Sequence, residues 1–494
     1  MFICNIKTCF LSSVQKIAWA SSVKHQQRGY LRVSSMFPKP ALPTKDADCV
    51  MEPSGCLSYD LFHLAGLIQR ASPGSFYMTP DLTRSLEKLY RVIDKEMRSV
   101  GAQKLTLPCL APAEIWNKSQ RWAAMGNELL KLTDRHGMQH CLAPTHEEAV
   151  TELIATMKPS YKHMPIRWYQ ISRKFRDELR PKHGLLRGRE FEMKDLYCFD
   201  ADEASARLTY DDVSAAYERI YKRLGLQVVR VAASSGAMGG DWSHEYHVVS
   251  EVGEDKLLQC MTCRMSFNHE LMADKSTDDD SSNNNTFHCS NCQQETKFET
   301  LSAIEISHSF LLGTKYSKVF DANYTSEQGK PVPFYMSCYG IGVTRLLAAA
   351  AQVLSRDDEL RWPRVIAPYQ VAVVPQRVGH RFDETLQLAE QLSAQLSRFA
   401  HLQDDVILDD RHQVTIGRRV SSMRALGVPH VIAVGRRSLE QPALYEYIDV
   451  YNDTVTYLRD TELVGLLSVL DTEVLNPRQP TSLDSCFSAA QSCS

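Results

Sequence analysis

Between Arg167 and Phe199 the chain reads RWYQISRKFRDELRPKHGLLRGREFEMKDLYCF. Residues 167–178 and 189–199 alternate as strands do, and Leu179–Gly188 (LRPKHGLLRG) supplies the Pro and Gly of a connection, so the stretch predicts an antiparallel hairpin with a basic loop. Ten Lys/Arg fall between Lys162 and Lys194 against four acids. Such a strand pair needs a polyanion or buried carboxylates to neutralise it, with a structural salt-bridge network as the bland alternative.

Upstream, residues 79–100 open with Thr79 as candidate N-cap and Pro80 at the first helical position. Leu82, Leu86, Leu89, Ile93 and Met97 then recur at helical spacing as far as Gly101. Lys104–Pro108 reads as a short strand. Downstream, 201–225 reads as a helix, 244–250 as a strand, and 334–352 runs from strand through Gly340 and Gly342 into an alanine-rich helix. Past Pro363 the pattern changes to strand 369–375, helix 381–399, strand 405–409, helix 416–426, strand 430–435 and a hairpin turning at Asn452-Asp453. This is the signature of a separate α/β domain.

Cys260-Met-Thr-Cys263 and Cys289-Ser-Asn-Cys292 are two C-x2-C knuckles 25 residues apart, the spacing of a Cys4 zinc ribbon, with 273–286 (ADKSTDDDSSNNNT) as an extruded loop. A metal-free ribbon is the alternative. Scattered cysteines such as Cys109, Cys141 and Cys198 read as reduced core thiols.

Three elements occur in a fixed order. Gly101-x3-Leu105-x2-Pro108 follows the first long helix; Arg176-Asp-Glu178 is followed by Arg187-x3-Phe191-x3-Asp195; Gly340-x-Gly342-x2-Arg345 opens a helix. Together they resemble motifs 1, 2 and 3 of class II aminoacyl-tRNA synthetases. Ala143-Pro-Thr145-His-Glu147-Glu148, the segment 305–317 (EISHSFLLGTKYS) and Cys338-Tyr-Gly-Ile-Gly-Val-Thr-Arg345 narrow the likeness to prolyl-tRNA synthetases, and 365–460 resembles that family's anticodon-binding domain. The likeness runs from about residue 60 to residue 470. A large editing domain between motifs 2 and 3, found in bacterial-type members, has no room between Phe199 and Glu305.

The resemblance implies an α/β fold of α+β type: an antiparallel class II core over 46–362 with a zinc-ribbon insertion at 256–297, and a mixed α/β anticodon-binding domain over 363–475. It implies ATP, L-proline and tRNA(Pro) as substrates, Mg2+ as cofactor and a homodimer. Joining a carboxylate to the α-phosphate of ATP is mainly a task of charge neutralisation and alignment, which suits arginine better than a base. The resemblance assigns Arg176 to the α-phosphate and proline carboxylate, Arg187 and Arg345 to the γ-phosphate end, Phe191 to adenine stacking, Glu178 to the adenine amine and Glu305 to Mg2+ or ribose. Thr145 and Glu147 would take proline's ammonium, with His308, Phe310 and Cys338 as wall. Arg411, Arg418 and Arg419 are candidates for the anticodon, with plain surface solvation as the alternative. A non-catalytic class II-like accessory or tRNA-binding protein is the rival reading, against which stand Arg176, Glu178, Phe191 and Arg345.

The 494 residues carry 56 Lys+Arg and 59 Asp+Glu, a net charge of −3. Residues 1–45 hold seven of the basic groups and no acid, leaving 49 against 59, or −10, for the rest. A basic, Ser-dotted, acid-free leader fits a mitochondrial transit peptide, with an unstructured extension as the alternative, so the expected compartment is the mitochondrial matrix. No apolar run approaches a membrane span, and 476–494 reads as a frayed tail.

Overall fold

The structure, a computed structural model, describes residues 29–40, 54–240, 242–270, 286–289, 291–356 and 359–470. Most of the expected leader, nearly all of the extruded loop and the tail at 476–494 lie outside the described residues.

The first half opens with a helix at Leu57–Leu64 and a hairpin of Ile68–Ser72 with Ser75–Met78, and then comes helix α1 (Pro80–Ser99), whose five periodic apolar residues are all buried. Thr79 does not cap it. Its hydroxyl donates instead to the Leu67 carbonyl at 3.2 Å, tying the helix start to the preceding turn. After Gly101 (φ 72°) the expected strand at 104–108 shrinks to β1 (Gln103–Lys104), because the Leu107 amide is taken by the Gln170 side chain at 3.0 Å rather than by a neighbouring strand.

Helix α2 (Glu147–Met157) precedes the basic hairpin, β2 (Ile166–Phe175) and β3 (Glu190–Asp200), which pair antiparallel from Ile166 opposite Phe199 to Phe175 opposite Glu190. Arg176 and Glu178 therefore lie just beyond the strand, in the connection. Helix α3 (Glu203–Arg223) covers one face, and its start is closed by Asp202, which accepts from the Ser205 amide at 2.8 Å. There follow β4 (Val229–Ala232), β5 (Trp242–Val249), β6 (Asp255–Cys260), β7 (Ser266–Asn268), β8 (Thr286–His288), β9 (Glu295–Gly313), β10 (Tyr335–Gly342) and helix α4 (Val343–Leu354). The sheet order is β4-β5-β9-β10-β3-β2-β1, antiparallel except for the β1 edge.

The 19-residue β9 organises the middle. Its first half pairs with β6 and β8 beneath the cysteine knuckles, and its second half pairs with β5 and β10. The expected insertion at 256–297 is thus an extension of the core sheet, and its lower boundary falls inside a strand.

The second half is a three-layer α/β unit: β11 (Val371–Pro375), α5 (Phe382–Leu396), β12 (Val406–Leu408), α6 (Ile416–Leu426), β13 (His430–Val434), β14 (Tyr445–Asp449), β15 (Thr454–Leu458) and α7 (Asp460–Ser468). Its sheet runs β12-β11-β13-β14-β15, and one further strand lies outside β12. That strand is Leu31–Arg32, parallel to Ile407–Leu408. Residues 29–40, assigned by composition to the leader, therefore belong to the folded unit. Val33 is fully buried, the Ser34 amide donates to Asp410 at 2.7 Å, and Arg32 pairs with Glu390.

The two halves share a continuous apolar core. Trp362 stacks on Phe62 at 5.3 Å and donates to the Leu426 carbonyl at 3.0 Å. A Cβ at residue 427 would lie 2.5 Å from that indole, and φ is 79°, so only glycine fits there. Lys88 and Arg84 of α1 both reach Asp405, each at 2.7 Å. No described helix is long and apolar enough to cross a membrane.

Candidate active site

Hairpin β2–β3, the β9–β10 pair and the start of α4 converge on one face of the sheet. Phe310 and Cys338 sit directly opposite each other across β9 and β10, and Cys338 in turn faces Tyr197 on β3. The register alone thus brings the expected proline wall together. His308 stacks on Phe310 at 3.9 Å and 16°. Burial and the adjacent Glu147 carboxylate push the Cys338 thiol well up, so it stays protonated as a packing group and is no nucleophile at neutral pH.

The Thr145 hydroxyl lies 2.9 and 2.8 Å from the two oxygens of Glu147, and both residues are buried. A polar chain holds this loop. Asp195 accepts from Lys174 at 2.8 Å, Gln170 at 2.9 Å and the Tyr197 hydroxyl at 2.8 Å, and that hydroxyl accepts the His146 amide at 2.9 Å. Tyr197, Lys174, His146 and Gln170 escaped the sequence reading because a buried polar residue on a strand looks like any other until its partners are known. Asp195 was legible only as a motif letter.

On the nucleotide side, the Arg176 guanidinium sits 5.2 Å over the Phe191 ring. No group among the described residues accepts a hydrogen bond from it, and burial together with the like charge of Arg345 lowers its pKa against the opposing pull of the Glu305, Glu178 and Glu128 carboxylates, so its donors are left for a ligand anion. Arg345 donates to the Leu186 carbonyl at 2.8 Å and the Glu305 carbonyl at 2.9 Å, which ties motif 3 to the hairpin loop. Burial alone would raise Glu305, but the hydrogen bond and charge of His308 and the charge of Arg345 overcome it and hold the carboxyl at about 2. Arg187 pairs with Glu178 at 2.9 Å and with Glu254. Beside it a cavity of about 730 Å³, lined by Lys182, His183, Arg187 and Glu254 among others, leaves room for a phosphate tail.

Glu245, Glu305 and His308 form a cluster whose ligand atoms lie within 4.8 Å of one another. The two carboxylates are hard oxygen donors of the kind Mg2+ takes, and the imidazole is not. Among the cysteines, Sγ separations are 3.9 Å for Cys260–Cys292 and 3.7 Å for Cys263–Cys289. A tetrahedron with Zn–S near 2.3 Å has edges of about 3.8 Å, so the set fits that metal. The two knuckles repeat one geometry: the Arg264 amide returns to the Cys260 carbonyl at 2.9 Å and the Gln293 amide to the Cys289 carbonyl at 2.8 Å, with Arg264 and Gln293 both left-handed.

The C-terminal candidates divide. Arg419 is fully buried, donating to the Asp409 carbonyl at 2.7 Å and to the Pro375 carbonyl, so it braces loops and cannot face an anticodon. Arg411 is clamped by Asp409 at 2.9 and 2.6 Å and reaches the Pro40 carbonyl at 2.9 Å. Arg418 is the exposed one of the three.

The described architecture has known counterparts. Residues 130–353 match the tRNA synthetase class II core domain (G, H, P, S and T). The chain is 45% identical over 415 residues to a probable mitochondrial proline–tRNA ligase of Mus musculus, covering 84% of this chain and 85% of the relative. It is 44% identical to the Schizosaccharomyces pombe protein of that name (76% and 85% covered) and 36% identical to a proline–tRNA ligase of Sulfurimonas denitrificans (75% and 86%). Its fold matches the Giardia lamblia prolyl-tRNA synthetase in complex with prolyl-adenylate, with a TM-score of 0.67 at 19% identity, over 83% of this chain and 75% of that one. With motifs, fold and relatives in agreement, the chain belongs to the proline–tRNA ligase family of class II aminoacyl-tRNA synthetases.

Proposed function

We propose that this chain activates L-proline with ATP to prolyl-adenylate and transfers the prolyl group to the 3′ end of tRNA(Pro) in the mitochondrial matrix. The observation that carries the site assignment is the half-buried Arg176 guanidinium, which lies over Phe191 with no hydrogen-bond acceptor among the described residues. Adenine stacks on Phe191, and Arg176 spans the α-phosphate and the proline carboxylate as the carboxylate oxygen attacks phosphorus and pyrophosphate leaves. Arg345 and Arg187 hold the departing end. Glu147 and Thr145 accept the two N–H groups of proline's ammonium, and His308, Phe310 and Cys338 close on the ring.

Glu305 and Glu245 would hold Mg2+, which would supply neutralisation of phosphate charge. Cys260, Cys263, Cys289 and Cys292 would hold a zinc whose role would be structural, since the knuckles lie where β6 and β8 meet β9. The reading takes 46–362 as the catalytic core, with the cysteine knuckles on an extension of its sheet, and 363–475 together with 29–40 as the anticodon-binding unit; Arg418 is the remaining anticodon candidate. A homodimer through motif 1 completes the assembly. The test is pyrophosphate exchange with each amino acid in turn: proline-dependent exchange is expected, and its absence, with the protein folded, would leave a non-catalytic relative as the reading.

A further inference from the structure

Arg121 belongs to neither motif nor pocket wall, yet it is the charge on which the proline loop closes. It stands at the head of a short turn, Arg121–Ala124, entered through Gln120 in left-handed geometry (φ 63°). Its side chain is 3% exposed. Nη1 lies 3.1 Å from Glu147, and 3.0 and 3.1 Å from the two oxygens of Glu148. The guanidinium sits 5.0 Å from the Trp116 ring and 5.9 Å from the Tyr316 ring, with the Met238 sulfur 3.1 Å from Nη2.

The charge count is the point. Two buried carboxylates share one buried guanidinium; burial and the Glu147 charge push the Glu148 carboxyl up while Arg121 pulls it down, and the exposed Lys315 ammonium adds positive charge from outside. A second buried carboxylate beside one guanidinium is costly, so the pair favours a further cationic partner. Glu148 is already served, accepting from Arg121 and from the Ser119 hydroxyl at 2.7 Å. Glu147, fixed by Thr145 and one Arg121 N–H, is the carboxylate with capacity left. A secondary ammonium carries one positive charge and two donors, which is what remains to be matched.

We propose that Arg121 is a positioning residue for substrate selection: by committing Glu148 and orienting Glu147, it leaves one carboxylate and one unit of charge for proline's ammonium. The inference rests on the reading of Glu147 as the ammonium acceptor. Arg121 itself touches no substrate. The other titratable groups around the pair are Cys141 on the strand Gln139–Leu142, Tyr316 and Lys315 on the helix Lys315–Val319, Cys338 on β10, Tyr197 and Asp195 on β3, and His146; burial and the Glu148 charge push the Cys141 thiol up, so it stays protonated. Burial pushes Tyr316, Tyr197 and Cys338 up, so they stay neutral near pH 7, and Lys315 donates to the Met238 carbonyl at 3.0 Å.

The experiment compares full-length wild type, Arg121→Gln and Arg121→Gln/Glu148→Gln by pyrophosphate exchange, titrating proline and ATP separately from about pH 6 to about pH 9. Arg121→Gln is expected to raise the proline KM about tenfold or more while the ATP KM stays within about twofold. It also makes the proline KM pH-dependent near neutrality, because two carboxylates without a cation must share a proton. The double variant removes the surplus carboxylate, abolishes that titration and recovers part of the KM. An unchanged proline KM, an equal rise for both substrates without new pH dependence, or a double variant no better than the single one would overturn the proposal. Should Arg121→Gln not fold, Arg121→Lys carries the same KM comparison: a rise of about threefold or more for proline alone supports positioning, and none refutes it. Wild type without proline-dependent exchange would instead refute the assigned function.

Discussion

Arg187 donates to Glu178 from Nε at 2.9 Å, so the residue assigned to the ATP tail and the residue assigned to the adenine amine are paired with each other across the base of the hairpin loop. Glu254, from the turn before β6, holds the same guanidinium from the other side. A phosphate tail reaching Arg187 must displace a carboxylate. Glu254 takes no part in the proposed chemistry, so Glu254→Ala frees Arg187 for the tail and should lower the ATP KM about two- to fivefold, the range of a half-exposed ion pair. Arg187→Ala should raise it. Exchange measured against ATP concentration reads both, and a higher KM in Glu254→Ala would show that Glu254 helps the loop instead of competing.

The Arg176 side chain has no hydrogen-bond acceptor among the described residues; its hydrogen bonds, to the Arg189 carbonyl and from the Glu178 amide, run through the backbone and survive truncation of the side chain. Arg176→Ala should leave the thermal midpoint of the free enzyme within about a degree or two while adenylate formation falls about a hundredfold or more. A large drop in midpoint would mean that the residue is structural.

The four cysteines lie where β6 and β8 pair with β9, the strand that continues to His308 and Phe310. Metal analysis should return one zinc per chain. Cys263→Ser should lose it and lower the midpoint, while the proline KM of the protein that remains folded changes little. A zinc content well below one removes the metal from the account.

Lys194 is buried in β3, donating to the Tyr339 carbonyl at 2.9 Å and to the Tyr217 hydroxyl. Burial pushes its ammonium down to about 7, against about 10.5 in the unfolded chain. The folded state therefore binds fewer protons than the unfolded one between those values, and stability rises with pH across that window. Below about 7 both states carry the proton and the contribution is flat. Lys194→Met lacks this slope, so the wild-type midpoint should gain on the variant's as pH goes from about 6.5 to about 8.5. Parallel curves would contradict the assignment.

Between Asp200 and Glu305 the chain holds α3 and the strands β4 to β8, with no unit the size of an editing domain among the described residues. Alanine fits a proline pocket with only lost ring contacts, and missing methylenes discriminate by about 10- to 200-fold. Slow but measurable accumulation of alanyl-tRNA is expected in a charging assay. Its rapid hydrolysis would reveal an unsuspected deacylating site.

Much of this was legible before any coordinates. Helix α1 and the alternation of strands and helices after Pro363 follow from periodicity, and helix α6 begins and ends at the expected residues. The motif arginines and the Thr145–Glu147 loop come from local strings whose spacing the sheet preserves. What periodicity could not supply was partnership. Nothing in the string around Arg121 marks it as buried; only the fold brings Glu147 and Glu148, 26 and 27 residues on, against it. Arg419 was a misreading that the helix pattern could have prevented, since residues 419, 422, 423 and 426 share the buried face of α6. The leader boundary failed for a different reason: charge composition reports where acids begin, whereas folding is decided by which peptide groups find a partner.

That last point bears on the strand Leu31–Arg32. Any protease that matures this chain has to stop before Gly29, because trimming to residue 46, where the charge changes sign, would strip the outer strand from the second sheet and uncover Tyr30's and Val33's places in it. The row of peptide groups along β12 would then stand open to pairing with another molecule. The folded body thus begins inside the acid-free basic stretch, and residues 29–40 belong to it.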